Sequence, residues 1–303
     1  MSGSRVARAA AFDGHPVRVL APNPGPFTLE GTNTWIVGRE PSVVIDPGPD
    51  DPGHLARVAR LADPVAAILL THRHPDHEPG AAPLSAHTGA PVHAYRPGPG
   101  EMALSSGQVV EAGGVRLRVL HTPGHTPDHV VFHDAGTGAL FTGDMVLGRG
   151  TSIVDPPEGE MAAYLRSLEA MATLHPFVLY PGHGPTVWSA ASKLREYAEH
   201  RAARERQVLA GLSGGPRSPE ELVPGIYTDV PAELHPLAAR SVLAHLVKLE
   251  REGRVVREGR GADARFAAAT PGACPRCGRP SRSPTSLCDR CRLAALQEGP
   301  GST

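Results

Sequence analysis

Short apolar runs separated by polar, Gly-rich or Pro-rich turns recur through the first 190 or so residues of the chain. Between the third and fourth runs, Leu55, Val58 and Leu61 repeat at helical spacing, and a second helical pattern covers about 159–174. Strands with helices interleaved predict a layered α/β domain. The predicted strands are 17–21, 34–38, 42–46, 66–72, 116–121, 129–134, 139–144 and 177–184.

The pattern changes after this region. Residues 189–212 read as a highly charged helix, and a Gly-Gly-Pro break follows. Ser218 as N-cap, Pro219 at the first helical position and Glu221 as the partner of Ser218 predict a capping box. Two helices and two short strand-like runs around a Gly-rich turn then indicate a winged-helix-like module. The predicted domains are therefore 1–212, 213–269 and 270–303.

Metal-binding residue types cluster in "LLTHRHPDHEPG", residues 69–80, where a predicted strand ends. Three later residues, His125, Asp144 and His183, also stand at strand ends or in the loops that follow them. Strand ends hold side chains rigidly at an exposed edge, so these residues form a candidate metal site and not a chance set of surface histidines. One tetrahedral zinc takes four ligands, so seven donors predict two metals. The seven are His72, His74, Asp76, His77, His125, Asp144 and His183.

The motif HxHxDH, followed by a separate His, Asp and His, resembles the metallo-β-lactamase superfamily over residues 17–190. This resemblance implies an αββα sandwich and a dinuclear zinc site. It implies that one zinc binds His72, His74 and His125. It also implies that the second zinc binds Asp76, His77 and His183. Asp144 would bridge the two.

Three longer stretches carry a closer resemblance: "NPGPFTLEGTNTWIVG", "FTGDMVLGRGTS" and "YTDVPAELHPLAARSVLAHLVKLEREGRV". They are similar to the β-lactamase-like protein 2 group of that superfamily, which includes an endoribonuclease, and the similarity covers roughly 18–258. The resemblance makes Thr32 and Asn33 candidate substrate-binding residues, although a plain Gly-Thr-Asn turn explains them equally well.

The chain departs from the group's pattern beside the metal motif. The motif usually continues with two glycines, whereas here it continues Glu78-Pro79-Gly80. Pro79 is expected in the first turn of a following helix, which would preserve the metal geometry.

Two zinc ions would supply a bridging hydroxide for attack on a phosphodiester phosphorus or an ester-type carbonyl. Asp76 is predicted to orient that hydroxide as well as bind metal, and His129 and Asp46 to fix imidazole tautomers. The group-level resemblance favours a phosphodiesterase acting on single-stranded RNA. The alternatives are a glyoxalase II-like thioesterase or hydroxyacyl hydrolase, and a nucleic-acid-binding regulator with a metal-sensing lobe.

A second metal signal lies in the last 34 residues, 270–303. Two CxxC pairs at this separation predict a zinc ribbon with one structural Zn²⁺ held by four thiolates. Disulfides and a redox pair are the weaker alternatives. The four cysteines are Cys274, Cys277, Cys288 and Cys291.

Composition adds a charge asymmetry. Residues 1–192 hold 12 Arg and 18 acidic residues, whereas 193–303 hold 18 basic and 13 acidic residues. A basic C-terminal part is compatible with RNA as a partner. The thioesterase alternative would instead have a small ester or thioester as its substrate. No apolar run reaches the length of a membrane span and no secretory signal is evident, so the prediction is a cytoplasmic protein without a membrane partner. The sequence does not indicate an oligomeric state.

Overall fold

A computed structural model describes residues 15–228, 230–269, 276–278 and 291. The chain divides into two compact units. The first comprises the residues up to Ser152 together with Ala163–Tyr197, and the second comprises Ile153–Ala162 together with the residues from Ala198 onward. In the described ranges, no helix combines the length and apolar character needed to cross a bilayer.

The first unit contains a six-stranded sheet in sequential order, β1-β2-β3-β4-β5-β6. Pairing is antiparallel from β1 to β3 and parallel from β3 to β6. Its strands are β1 (Val17–Leu20), β2 (Asn33–Val37), β3 (Ser42–Ile45), β4 (Val65–Leu69), β5 (Val92–Ala94) and β6 (Met102–Ala103).

A second sheet of five strands has the order β11-β10-β9-β8-β7, in which only β10 and β11 are parallel. Its strands are β7 (Val109–Ala112), β8 (Val115–His121), β9 (Val130–Asp134), β10 (Ala139–Gly143) and β11 (Val178–Pro181).

The two sheets pack face to face, and the alternation of side chains along each strand explains the layers. In β3, Val43 and Ile45 join a core that includes Phe132 and Phe141 of the second sheet. Val44 between them points to the other face, where it packs with residues of the helices α1 (Pro52–Ala62) and α2 (Ala81–Thr88). Burying each large apolar side chain contributes about 1.5–3 kcal/mol.

Helix α3 (Met161–Ala172) is fixed by contacts with loops that leave the second sheet. The Tyr164 hydroxyl donates to the carbonyl of Met145 at 2.5 Å, and the Ser167 hydroxyl donates to that of Pro123 at 2.8 Å. Both loops carry candidate metal ligands. The predicted αββα architecture is therefore present, and this helix holds the loops that supply part of the site.

Parallel pairing decides where the candidate ligands meet. Strands β3 and β4 end side by side at Ile45 and Leu69, and β10 and β11 end side by side at Gly143 and Pro181. In open α/β sheets, ligands bind outside the carboxyl ends of the parallel strands. The HxHxDH segment follows β4, and the other strand ends lead into further candidate ligands.

The second unit is a small helical module with a two-stranded ribbon. The predicted capping box is confirmed: the Ser218 hydroxyl accepts from Glu221 N at 3.3 Å, and Glu221 Oε2 accepts from Ser218 N at 2.9 Å. Leu222, Val242 and Phe266 lie in its apolar core. Its elements are the part of α4 (Ala190–Gly211) from Ala198 on, α5 (Pro219–Ile226), α6 (His235–Arg251), β12 (Val255–Glu258) and β13 (Arg265–Ala268).

Several details differ from the sequence predictions. Helix α2 begins at Ala81, so the prediction that Pro79 occupies its first turn is wrong. Pro79 instead lies in a turn that is closed by a hydrogen bond from Ala81 N to Glu78 O (2.8 Å), and Gly80 N donates to Gly48 O of a different segment (2.8 Å). The predicted domain boundary at Leu212 follows α4, whereas the compact units divide within it, because Val208 and Leu212 belong to the core of the second unit.

The Cys-rich tail lies largely outside the described residues. Cys274 and Cys288 are not among them, while Cys277 is exposed and Cys291 is buried. The zinc ribbon therefore stays a prediction.

Candidate metal centre

The seven predicted ligands lie together at the carboxyl ends of the parallel strands. They form two groups in which one donor atom of each residue lies within 4.8 Å of the others. The first group is His72, His74, His125 and Asp144, and the second is Asp76, His77 and His183. The family resemblance implies the same division of the other six residues, with Asp144 shared between the two groups.

The second group is a nearly regular triangle. Asp76 Oδ2 lies 3.3 Å from His77 Nε2 and 3.1 Å from His183 Nε2, and the two nitrogens are 3.3 Å apart. Donors about 2.0–2.1 Å from a tetrahedral zinc lie about 3.3 Å from one another. The triangle therefore has the dimensions of one face of a tetrahedral zinc site.

The first group is looser, and Asp144 connects it to the second. His74 Nδ1 and His125 Nε2 are 3.1 Å apart, and Asp144 Oδ2 lies 3.7 Å from His125 Nε2. The same carboxylate oxygen lies 3.3 Å from His183 Nε2, while Oδ1 lies 3.5 Å from His77 Nε2. Asp144 is thus placed between the groups, as a bridging carboxylate requires.

Two buried atoms test whether these residues fit a metal. Within the described ranges, His72 Nε2 and Asp144 Oδ1 are buried and have no hydrogen-bond partner. A buried polar atom left unpaired costs about 1–3 kcal/mol. A cation between the donors would satisfy both atoms, so the donor set fits a pair of divalent metals.

Asp46, the residue after β3, positions two of the candidate ligands: His77 directly and His72 through Thr71. Its Oδ2 lies 2.9 Å from His77 Nδ1 and accepts from the Thr71 hydroxyl at 2.7 Å, and its Oδ1 accepts from Thr71 N at 2.8 Å. Thr71 Oγ1 lies 2.9 Å from His72 Nδ1. The Nδ1–H of each histidine is engaged, so Nε2 faces the site in both. Asp46 has a φ of 50°, in the left-handed region that non-glycine residues rarely adopt.

Other backbone and side-chain contacts orient the remaining histidines. The carbonyl of Gly31 lies 3.3 Å from His183 Nδ1, and Ser152 Oγ lies 3.3 Å from His125 Nδ1. In both residues the Nε2 atom is the one left to face the other donors. Partners of this kind fix the tautomer and orientation of ligand histidines.

His129 has a different role from the one predicted for it. Its Nε2 accepts from the backbone N–H of Asp144 at 3.1 Å, and its Nδ1 lies 3.1 Å from Thr122 Oγ1. Its ring also stacks on that of His72 at 5.0 Å between centroids. His129 therefore positions Asp144 through its backbone and does not fix the tautomer of a ligand histidine by a hydrogen bond.

Thr32 and Asn33, predicted to bind substrate, are both fully buried. The Thr32 hydroxyl donates to Asp76 Oδ2 at 3.1 Å. Asn33 Nδ2 donates to the carbonyls of Pro181 and Gly184, both at 2.9 Å, on either side of His183. These contacts support a positioning role for both residues and not the predicted contact with substrate.

Two glycines allow the donors to approach one another. A Cβ on Gly182 would lie 2.6 Å from Asp144 Oδ1 and 2.7 Å from His77 Cε1. A Cβ on Gly143, which has a φ of 45°, would lie 2.6 Å from Thr71 Oγ1. Both positions therefore require glycine.

Strong electrostatic coupling follows from crowding carboxylates and imidazoles in a buried site. Burial alone would lower the pKa of His77, but Asp76, Asp144 and Asp46 outweigh it and raise that pKa well above its ordinary value. For His183, burial is likewise outweighed by Asp144 and Asp76, which raise its pKa to about 9.

The pKa values of Asp144 and His72 are shifted by burial and by the charges of neighbouring residues. Burial opposes ionisation of Asp144, but His183 and His77 hold its pKa well below the usual range. His72, by contrast, is buried beside other imidazoles, and its pKa is lowered well below the ordinary value. Without metal, the site therefore holds protons on His77 and His183 and leaves His72 neutral.

Sequence reasoning missed Thr71, Gly31 and Ser152. Thr71 is the last residue before the HxHxDH motif, a position where a hydroxyl could have been expected to support a ligand. Gly31 acts through its carbonyl, and Ser152 is distant from His125 in the chain, so neither leaves a signal in the sequence.

Two protein-family profiles match the chain. The profile of the Metallo-beta-lactamase superfamily matches residues 27–103 and 94–183, and that of the Beta-lactamase associated winged helix domain matches 218–264.

The chain belongs to the metallo-beta-lactamase superfamily.

Its relatives within the superfamily carry different names. The Beta-lactamase-like protein 2 homolog of Drosophila melanogaster is 34% identical over 275 residues, which cover 82% of this chain and 92% of that protein. The Atrochrysone carboxyl ACP thioesterase of Aspergillus chevalieri is 35% identical over 263 residues, which cover 81% of this chain and 84% of that protein. A metallo-beta-lactamase family protein from Thermus thermophilus has a similar structure, with a TM-score of 0.71, 25% identity, and coverage of 84% of this chain and 98% of that one.

Proposed function

We propose that the protein is a dinuclear zinc hydrolase that cleaves thioesters. The observation that carries the metal assignment is the pair of donor groups with the Asp144 carboxylate between them. His72, His74 and His125 would hold one zinc, Asp76, His77 and His183 the other, and Asp144 both. When bound, the two metals would lower the pKa of a coordinated water to about 7 and polarise the carbonyl of the substrate.

Residues around the site position the groups that take part in this chemistry. The Thr32 hydroxyl holds Asp76 Oδ2 at 3.1 Å, and Asp76 is partly exposed, so its carboxylate can orient the attacking water as well as bind metal. Asp46 and Gly31 hold His77 and His183 from behind. Hydrolysis adds the water oxygen to the acyl carbon, breaks the carbon–sulfur bond and releases a carboxylic acid and a thiol.

Charge favours a thioester over RNA. RNA binding depends on cations that neutralise phosphates. In the metal-bearing region, residues 1–192 contain 12 Arg and 18 acidic residues. Beside the site, Arg73 is engaged by Glu78 and Glu101.

The basic excess of the C-terminal region also contains many paired charges. Arg254 lies 2.7 Å from Glu205, Arg257 lies 2.7 Å from Glu250, and Arg265 contacts Glu221 at 2.5 Å. In the described part of this region, these three arginines are therefore engaged by carboxylates. The printed name of the Aspergillus chevalieri relative, an acyl carrier protein thioesterase, supports the same choice.

RNA is the second candidate substrate. The observation that favours it is the similarity to the Drosophila Beta-lactamase-like protein 2 homolog, which extends over 82% of this chain and 92% of that protein. A phosphodiester could occupy the same two-metal site, because two metals can stabilise both the attacking and the leaving oxygen.

The decisive experiment offers the zinc-loaded full chain three substrates in parallel: acyl-coenzyme A thioesters, acyl-N-acetylcysteamine thioesters and a single-stranded RNA. Thiol release and RNA cleavage are measured, with zinc content determined on the same samples. We expect thioester turnover that disappears in Asp144→Ala, together with the zinc bound at the metal centre. An intact thioester alongside cleaved RNA would overturn the choice of substrate. No turnover of any substrate, with duplex binding by the full chain, would favour the regulator.

A further inference from the structure

Arg73 stands between His72 and His74 in the metal motif, yet nothing in the proposed chemistry uses it. Its guanidinium is engaged on several sides. Nη2 contacts Glu78 Oε1 at 2.5 Å, Nη1 contacts Glu101 Oε2 at 2.7 Å, and Nη1 donates to the carbonyl of Arg96 at 3.1 Å. Nη2 also lies 3.3 Å from Glu101 Oε1, so the contact with Glu101 is bidentate.

Glu101 ties this cluster to the segment 95–101, which connects β5 with β6. Its Oε2 accepts from Gly98 N at 2.6 Å, and its own N–H donates to Gly98 O at 3.2 Å. The carboxylate that Arg73 binds is therefore fixed within a closed turn.

The same segment reaches the loop that carries His125. The ring of Tyr95 stacks on that of His121 at 4.0 Å between centroids and 11° between planes. His121 Nε2 in turn lies 3.0 Å from the carbonyl of Pro127. A continuous series of contacts thus runs from Arg73, beside His72 and His74, to the 121–129 loop around His125.

We infer that Arg73 is a positioning residue for the first metal group: through Glu101 and the segment 95–101, it fixes the loop of His72 and His74 relative to the loop of His125. The inference rests on the proposed metal site. Partly exposed ion pairs such as these contribute little to stability. A bidentate Arg–carboxylate pair, however, restricts geometry in a way that a single point charge does not. Glu78, at the position where the sequence leaves its group's pattern, holds the guanidinium from the side of the metal motif.

The second metal group has supports of its own. His77 is held by Asp46 and His183 by Gly31, and neither support passes through Arg73. Loss of Arg73 should therefore affect one metal and spare the other.

The test is zinc binding by the full chain in competition with a chromophoric chelator, without any substrate. The variants are Arg73→Gln, Arg73→Lys and Glu101→Gln. Arg116→Gln is the matched control, since Arg116 forms a comparable 2.8 Å pair with Glu111, and both side chains are well exposed. Thermal unfolding of each metal-free variant checks that the fold is retained.

We expect the wild type to bind two zinc ions at the metal centre, besides the one predicted for the four-cysteine tail. Arg73→Gln and Glu101→Gln should weaken one of the two ions at the centre by about 10–100-fold, the range found for supporting residues of metal sites, and leave the other within about twofold. Arg73→Lys, which keeps the charge but loses the fork, should fall between Arg73→Gln and the wild type. Arg116→Gln should bind as the wild type does.

Two outcomes would overturn the inference while leaving the proposed function standing: equal affinity of Arg73→Gln and wild type for both ions, or equal weakening of both. A wild type that binds no zinc, or only the single ion predicted for the four-cysteine tail, would overturn the inference and the proposed function together.

Discussion

Asp46 Oδ2 lies 2.9 Å from His77 Nδ1, and both side chains are almost completely buried. The carboxylate fixes the proton on Nδ1 and so directs Nε2 toward Asp76, Asp144 and His183. Asp46→Asn keeps the shape but replaces the charge with an amide, and it should weaken one of the two zinc ions by about 10–100-fold. Zinc titration checks this, with Asp134→Asn as control, because Asp134 is also buried but caps a turn at Gly136 and Thr137. Unchanged zinc affinity in Asp46→Asn would exclude this role.

Zinc binding should release protons near neutral pH. The pKa of His77 is raised well above its ordinary value and that of His183 to about 9, so both imidazoles hold an extra proton in the metal-free protein at pH 7. Metal ligation requires neutral imidazole, so binding expels these protons. Calorimetric titration in buffers of different ionisation enthalpy should show release of up to about two protons per chain at pH 7, from these two groups. The number should fall as the pH rises through about 9.

Stability of the metal-free protein should follow the same two groups. Because the folded-state pKa of His183 exceeds the unfolded value of about 6.5, its contribution is fully present below that value and is lost as the pH rises through about 9. Urea unfolding of chelator-treated protein at pH 6.5 and 9.5 should therefore show lower stability at the higher pH. A His183→Gln variant should lose part of that difference.

Gly182→Ala should damage the site directly. The added Cβ would lie 2.6 Å from Asp144 Oδ1 and 2.7 Å from His77 Cε1, closer than such contacts allow. We expect a loss of about 1–3 kcal/mol of stability and weaker binding of zinc. Gly53→Ala, in the first turn of helix α1, is the control, since the added Cβ would make only ordinary contact with the N-cap residue Asp51. Tight binding of two zinc ions by Gly182→Ala would contradict the crowding seen at this position.

His245, in helix α6 of the second unit, should govern part of the acid sensitivity. Burial, and then Arg201 and Lys248, lower its pKa to about 3, so the folded state keeps it neutral. The unfolded chain protonates near 6.5, so stability is present above that pH and is lost as the pH falls toward about 3, at up to about 1.4 kcal/mol per unit. His245→Leu should therefore lose less stability than the wild type between pH 7.5 and 5 in urea unfolding. The exposed His87 provides the control variant His87→Leu, which should follow the wild type.

The sequence predicted the strands that carry the site, because apolar runs such as "SVVID" and "AAILLTH" end abruptly in metal-binding residues. It missed strands β5 to β7. Strand β6 has two residues and β5 has three, too few for an alternating pattern to emerge. Their positions depend on pairing with neighbours that are distant in the chain.

Ligand types were predictable because imidazoles and carboxylates at strand ends have few other uses. Their supports were not. The role of Asp46 depends on a left-handed backbone and on a histidine 31 residues away. Thr32 and Asn33 looked like an exposed turn but are buried, because backbone pairing of Thr32 with His183 carries them under the site.

The division of donors between the two sheets has a practical consequence. Four of the donors lie in the loop after β4 of the first sheet: His72, His74, Asp76 and His77. The other three, His125, Asp144 and His183, come from loops of the second sheet, so each metal group contains donors from both sheets. A chain cut between β6 and β7 would leave fragments that each carry an incomplete donor set for either ion. Reassociation of the two fragments should therefore depend on zinc, so that a protein split at this point would report the presence of the metal.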